Sequence, residues 1–402
     1  MSLIQRPQKP EDYLFLSKVF LDDLAEKNLN VVIFGYTGLG TVILNALKEF
    51  NITVMCFCDN SPPNTESWQG LPCIKPEDAI IKYPKSIFIY SAVEPSTCRK
   101  MNEQLMSLNS GVLGCFWDIA LYSYIVAKRN IDKIMFANTL YHFWEQEPSD
   151  GILINSLSFR ITNRCTLKCK ECAFLVPYHR NHYDFPIDNL ISSLEALCRK
   201  IDGLLDLTIN GGETFLYSAL VVLLKKIVSI SNIVNIVIVT NGTIIPSDEV
   251  LKLCADNAIR IRVSNYGMHS DKIDAFYERC KTFNVSVSEF QHAKMWYKIG
   301  TTKHNRTNEE NRKVANNCPF NCGKNKRLLG IFNRGLHLCD RYDGLYSCGH
   351  VSDDSIDGIH FDLTANFTRK DLSDFLKSKS LYNLCDYCNY PMEEILPGEQ
   401  LC

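Results

Sequence analysis

Between residues 152 and 290 the chain alternates between short β-branched runs and longer stretches with helical apolar spacing. The runs are ILINSLSFRIT (152–162), LLDLTIN (204–210), NIVIVT (235–240), IRIRVS (259–264) and VSVSEF (285–290). Between them lie helical patterns such as LISSLEALCRKI and SALVVLLKKIVSI. Strands separated by helices pair in parallel through crossovers, so this stretch predicts a parallel α/β barrel or sheet. In such folds the ligand chemistry belongs at the C-terminal ends of the strands.

A related pattern opens the chain. NVVIFG (30–35) is an apolar strand ending at Gly35, GYTGLG forms a glycine turn, TVILNALKEF has helical spacing, and ITVMCFCDN is a second strand reaching Asp59. Strand, glycine turn, helix and strand, with an acid 19 positions after Gly40 (59 − 40), is the layout of a Rossmann-type βαβ half. Gly35 and Gly40 fill the outer places of G-x-G-x-x-G, Thr37 stands at the middle one, and Gly38 is beside it. A side chain at that middle place obstructs close approach of the backbone to a pyrophosphate. Two readings stand side by side: a nucleotide or nucleotide-sugar site built on Gly35, Gly38, Gly40 and Asp59, or a scaffold that binds nothing. With CDN after its second strand and GLP further on, the segment resembles the small Rossmann-like domain often attached to enzymes of surface-sugar biosynthesis.

At 402 residues the chain exceeds one typical core. A net charge of −2 gives no general attraction to nucleic acid or an anionic membrane. MSLIQRPQKPEDY lacks an apolar signal region, and no run approaches 18 apolar residues, so a cytoplasmic protein without a membrane span is expected.

In that setting the 18 cysteines point to metal ligands rather than disulfides. Cys56, Cys58, Cys73, Cys98, Cys115, Cys198, Cys254 and Cys280 are isolated and read as small buried hydrophobes. The informative ones begin with CTLKCKEC, where Cys165, Cys169 and Cys172 follow the first strand of the alternating region. Three thiolates in eight residues leave one corner of a [4Fe–4S] cube open. His179 and His182 follow closely enough that a Cys3His zinc site is the other reading.

The C-x3-C-x2-C loop resembles the signature of the radical S-adenosylmethionine (SAM) superfamily, and its place after a first barrel strand matches. The resemblance implies that Cys165, Cys169 and Cys172 hold three irons, that SAM chelates the fourth, and that its reductive cleavage yields a radical that abstracts a substrate hydrogen. Gly211-Gly212-Glu213 after LTIN is similar to the family's GGE motif, whose backbone and carboxylate hold the SAM ammonium. Asn241 lies at the next strand end, and Ser264 and Asn265 at the one after are the candidates for the ribose and carboxylate of SAM. Glu171 stands where the family often has an aromatic residue, which makes Phe174 the candidate for packing the adenine. An external electron donor, flavodoxin or ferredoxin, is implied.

From about residue 315 helices fade and cysteines rise. This part resembles the auxiliary-cluster extensions called SPASM or twitch domains. The resemblance implies one auxiliary [4Fe–4S] cluster on Cys322, Cys339, Cys385 and Cys388, with Cys318 or Cys348 able to replace one of them. Four thiolates serve zinc equally well, so a structural zinc site is the alternative. WYKIG (296–300), the basic TTKHNRTNEENRK (301–313) and PGEQL (397–401) resemble enzymes of surface-polysaccharide biosynthesis. Arg306 and Arg312 are candidates for a phosphate or sugar diphosphate, against the blander reading of a solvated loop.

The expected architecture is α/β: a Rossmann-like domain (1–125), a helical connector (126–152), a partial (β/α) TIM-like barrel of the radical SAM type (153–314) and a cysteine-rich extension (315–402). The expected function is a radical SAM enzyme acting on a sugar, nucleotide sugar or glycan precursor. A peptide-modifying radical SAM enzyme and a non-catalytic zinc-stapled binding protein are the alternatives. No general acid or base stands out; Tyr178, His179, His182 and Glu289 are polar residues near strand ends.

Overall fold

The structure, a computed structural model, describes the chain apart from residues 1–6, 64–69, 110, 145–150, 268–269, 290–295, 319–328, 333, 352–359, 379–380 and 402. It divides into two units: residues 1–149 with 254–260 and 280–288, and residues 150–253 with 261–279 and 289–402.

In the first unit β1 (Val31–Phe34), β2 (Val54–Cys58), β3 (Cys73–Ile74), β4 (Ile87–Tyr90) and β5 (Leu113–Phe116) form a parallel sheet in the order β3-β2-β1-β4-β5. All residues of β1 and β4 are buried, as expected of parallel strands covered on both faces. The surrounding helices are α1 (Asp12–Glu26), α2 (Gly38–Glu49), α3 (Pro76–Lys82), α4 (Pro95–Leu108), α5 (Trp117–Arg129) and α6 (Lys133–Trp144). Proline opens both α3 and α4, where its missing N–H costs nothing. Helix α5 begins inside the expected first domain and joins α1 through a hydrogen bond from the Tyr13 hydroxyl to Asp118 (2.5 Å). Residues 126–144 therefore stay with this unit rather than forming a separate connector.

The second sheet runs β10-β9-β8-β7-β6-β12-β13-β14, from β6 (Leu153–Thr162), β7 (Gly203–Gly211), β8 (Ile233–Thr240), β9 (Arg260–Val263), β10 (Val287–Glu289), β12 (Leu329–Phe332), β13 (Gly335–His337) and β14 (His360–Asp362). Helices α7 (Ile187–Cys198), α8 (Leu220–Ile227), α9 (Asp248–Asp256) and α10 (Ser270–Thr282) fill the crossovers between β6 and β10. Side-by-side consecutive strands with a helix between each pair are the winding of a partial barrel. Residues beyond 315 do more than carry cysteines. Strand β12 pairs in parallel with β6, Leu329 opposite Leu157 and Phe332 opposite Arg160, and β13 and β14 continue antiparallel. This region also has a buried apolar cluster of Leu175, Tyr342, Leu345, Val351, Leu384 and Tyr387.

The further elements are β11 (Trp296–Lys298), paired with β15 (Glu393–Ile395), α11 (Asn308–Asn316), α12 (Tyr342–Ser347), α13 (Arg369–Lys377) and α14 (Leu381–Cys385). Part of the basic stretch is helical. Thr307 caps α11 with Glu310 closing a capping box, a T-x-x-E signature that the reading as a solvated loop passed over. Among the described residues no helix is long and apolar enough to cross a membrane.

Candidate functional site

The cysteine loop leaves the end of β6 and is held by the end of β7. Gly212 N–H donates to Thr162 O (2.9 Å) and Glu213 N–H to Arg164 O (2.7 Å), carrying the strand ladder into the loop. A Cβ at Gly211 would lie 2.5 Å from Thr162 O, and one at Gly212 only 2.2 Å from Arg164 O. Two glycines are needed because backbone passes directly over backbone.

Each of the three sulfurs meets donors. Cys165 Sγ faces Leu167 N–H (3.4 Å) and the Asn241 amide (3.7 Å). Cys169 Sγ faces the Gln400 amide (3.2 Å). Cys172 Sγ faces the backbone N–H groups of Val176, Phe174 and Leu175. Leu175 has φ +56°, the left-handed turn that folds these amides inward into an anion-binding nest. Burial pushes the Cys165 thiol up to about 12 and raises Cys169 and Cys172. Without a metal these are thiols, so loading the site must release protons. Donors aimed at one buried and two half-buried sulfurs suit thiolates, and the loop fits a [4Fe–4S] cluster with one open iron.

Glu213 is fully buried. Its carboxylate accepts from Thr240 Oγ1 (2.8 Å), Asn241 N (2.9 Å) and Phe215 N (3.1 Å). The sequence assigns this carboxylate to the SAM ammonium; both its oxygens are engaged by protein donors, and it clamps the end of β7 to the end of β8. Asn241 then reaches the cysteine loop, donating to Thr166 Oγ1 (3.0 Å), while its carbonyl accepts from Thr243 N (3.0 Å). At the next strand end Ser264 N–H donates to Thr240 O (2.8 Å). Asn265 turns back to accept from Gly267 N (2.9 Å). Tyr266, whose phenol bonds to Ser264, is kept protonated by burial, with the three cysteines adding to that effect. Its ring packs edge-on against Trp296, with centroids 5.1 Å apart.

His179 Nε2 bonds to Phe174 O (2.8 Å) and His182 Nδ1 to Asn163 O (3.1 Å), which fixes each ring through one nitrogen, as the second contact of a metal-bound histidine also would. The Arg160 guanidinium lies over the Phe174 ring, 3.3 Å from its centroid, and covers one of the two faces that adenine could use. Arg160 is itself buried and paired with Asp343 and with Asp340 (3.7 Å). Tyr178 donates its hydroxyl to Lys170 O (2.8 Å), and the side chain of Glu289 lies outside the described residues.

The second cysteine group gathers Cys318, Cys339, Cys385 and Cys388 around one cavity, which Phe174, Arg341, Leu384 and Met392 also line. Cys318 is thus the alternate that joins. Cys322 lies outside the described residues, and Cys348 sits elsewhere, its thiol facing Leu175 O (3.9 Å). Arg341 Nη1 donates to Cys388 Sγ (3.3 Å). Arg306 donates to Cys388 O (2.9 Å) and Cys385 O (3.4 Å), and Asp386 accepts from the backbone of Asn305 (3.0 Å) and Arg306 (2.8 Å). Arg306 is therefore a brace for this loop and not a free phosphate contact, whereas Arg312 is exposed on α11. Among the described residues no three Cys, His, Asp or Glu side chains converge as ligands of one metal ion.

In the first unit the glycine turn closes on itself. Gly35 has φ +112°, and a Cβ there would lie 2.5 Å from Ser91 Oγ. The Thr37 side chain accepts from Gly40 N (3.1 Å) and donates to Ser91 O (2.8 Å), while Gly38 is the first residue of α2. Asp59, the acidic member of the candidate nucleotide site, accepts from Tyr36 N (2.9 Å) and Ser61 N (3.0 Å).

Residues 159–290 match the family described as the radical SAM superfamily. The chain therefore carries a radical SAM domain, the fold of an enzyme superfamily. A GTP 3',8-cyclase of Clostridium perfringens (strain SM101 / Type A) is 26% identical over 127 residues, covering 30% of this chain and 38% of the cyclase. The chain thus spans well under half the length of that relative. Among solved structures, BtrN in complex with AdoMet and 2-DOIA overlaps 62% of this chain and 98% of its own at 14% identity and TM-score 0.40. Native anSMEcpe with bound AdoMet and Kp18Cys peptide overlaps 34% and 42% at 19% identity and TM-score 0.28. Likenesses this distant carry no argument about substrate.

Proposed function

We propose that the chain is a radical SAM enzyme that abstracts a hydrogen from a sugar, nucleotide sugar or glycan precursor. The observation that carries the enzyme reading is the packing of Gly211-Gly212-Glu213 against the Cys165–Cys172 loop. Cys165, Cys169 and Cys172 would hold a [4Fe–4S] cluster. With SAM at its open iron, that cluster supplies one-electron cleavage of SAM and the hydrogen abstraction that follows. The protein's part is to fix the loop, to donate hydrogen bonds to each sulfur, and to place Gly211, Gly212, Asn241, Ser264 and Asn265 along one rim of strand ends. Glu213 acts on SAM through that rim, by locking the ends of β7 and β8 together. Tyr266 and Trp296 provide aromatic surface beside the cysteines. Electrons would come from an external flavodoxin or ferredoxin.

Cys318, Cys339, Cys385 and Cys388 are the proposed ligands of an auxiliary [4Fe–4S] cluster. A zinc ion bonded at ~2.3 Å would draw its sulfurs to about 3.8 Å from one another. A cube gives each sulfur its own iron, so its ligands stand further apart. Iron and zinc analysis of a Cys385→Ala/Cys388→Ala variant beside the parent separates the two. The sugar reading rests on the Rossmann-like unit and on the motifs that fall near the cysteines, Trp296 at one side and Gln400 on Cys169. The self-capped glycine turn favours the scaffold role for the first unit over nucleotide binding.

The test uses protein purified without oxygen, reconstituted with iron and sulfide, reduced with dithionite and given SAM. Formation of 5′-deoxyadenosine, lost in a Cys165→Ala/Cys169→Ala/Cys172→Ala variant, is expected. Tightly bound zinc in place of iron, with no nucleoside formed, would sink the reading. Nucleotide sugars added to the active protein then test the substrate class by their own conversion.

A further inference from the structure

A segment remote in sequence completes the cysteine loop. Residues 399–401 lie antiparallel along residues 168–170: Lys170 N–H donates to Glu399 O (2.7 Å) and Leu401 N–H to Lys168 O (2.8 Å), with Cys169 bridged to Gln400. The chain reaches this position from β15 by turning at Gly398, where φ is +76°. The exposed Lys170–Glu399 ion pair (3.3 Å) adds little to such a contact. The backbone pairing and the Gln400 side chain hold it.

The orientation of the Gln400 amide is over-determined. Its Oε1 accepts from Lys168 N–H (2.7 Å), and its Nε2 donates to Gly398 O (2.7 Å) and to Cys169 Sγ (3.2 Å). Flipping the amide would set two donors against each other at Lys168 and two acceptors at Gly398. One N–H is thereby pinned by Gly398, and the other is aimed at the sulfur of Cys169, a buried residue.

We infer that Gln400 is a positioning residue of the catalytic cluster: it straps the cysteine loop and donates a hydrogen bond to the Cys169 thiolate that favours the reduced cluster. This rests on the radical SAM reading of that loop. Reduction adds negative charge to the cluster and its sulfurs, so a donor on one sulfur stabilises the reduced form more than the oxidised one and raises the potential. Withdrawing the donor makes the cluster harder to reduce.

The experiment is an EPR-monitored redox titration of the full reconstituted chain, followed on the signal that changes when SAM is added. Gln400→Leu removes the donor and the acceptor, Gln400→Glu keeps the acceptor for Lys168 N–H and removes the donor, and Glu399→Ala keeps the backbone pairing as a control. Both Gln400 variants are expected to titrate at more negative potential at parental iron content, with Glu399→Ala unchanged. A tenfold fall in the reduced-to-oxidised ratio at fixed potential corresponds to about 59 mV for a one-electron couple. If Gln400→Leu loses iron, Gln400→Glu decides. An unshifted potential in an iron-loaded Gln400 variant overturns the inference. A parent with no SAM-responsive signal would instead defeat the radical SAM reading itself.

Discussion

Gly212 shows how narrowly single residues bound this site. Its missing side chain lets Arg164 O pass where a Cβ would sit, at 2.2 Å, and the obstacle is backbone rather than a movable side-chain tip. Gly212→Ala should displace the cysteine loop, with iron at Cys165, Cys169 and Cys172 lost while the first unit's thermal transition is unchanged, as iron analysis and calorimetry would show. Glu213→Gln should keep the iron but weaken SAM binding. Its new amide would face a backbone donor at Asn241 or Phe215, and the ~1–3 kcal/mol cost of an unmet buried group at this clamp bounds the loss of SAM affinity by equilibrium dialysis at roughly 150-fold. His179 gives a pH signature. Burial, with the nearby Arg160 and His182 adding to it, lowers its pKa from 6.5 to about 4. Between those values the unfolded chain binds the extra proton and the folded one does not. The stability that this provides is complete above about pH 6.5 and lost as pH falls toward 4, up to about 3 kcal/mol. Urea titrations at pH 7 and pH 4.5 should show a smaller loss for His179→Gln than for the parent. The cysteine triplet and the glycines were legible because their spacing is local. The clamp of Glu213 on Asn241, the brace of Arg306 and the contact of Gln400 with Cys169 were not, because each joins residues that only the fold brings together.

At the level of elements, the crossover strands and helices were readable from periodicity, and β6, β7, β8 and β9 fall where the β-branched runs stand. The strands beyond residue 315 were not, because LGIF and GLH are too short to show a period and acquire meaning only beside β6. A charged residue within a buried strand was the available signal. Arg160 on β6 reaches Asp340 and Asp343 and so ties the barrel to α12. Removing it strands two buried carboxylates, and Arg160→Met should cost about 3–5 kcal/mol by urea unfolding near neutral pH. Burial already raises Asp343 to about 6. Below that value the Asp343 carboxyl takes up a proton instead, so the cost of the same substitution should shrink at pH 5.

For the whole molecule, the sequence separated a catalytic barrel from a cysteine-rich appendage, whereas β12, β13 and β14 of that appendage belong to the same eight-stranded sheet as β6 to β10. Strand β12 covers the edge of β6 that no other strand pairs with among the described residues. An uncovered parallel edge is a template for misassembly. A chain ended after Asn317 should therefore pellet or scatter light under conditions where the full chain stays in solution, even with iron supplied. The same pairing sets a timetable for birth of the protein. From Thr162 to Leu329 is 167 residues (329 − 162). At 5–20 residues per second a ribosome needs about 8–33 s to cover that distance. For that interval β6 waits with one side open, and a nascent chain of this kind leans on whatever shields it until the last quarter is made.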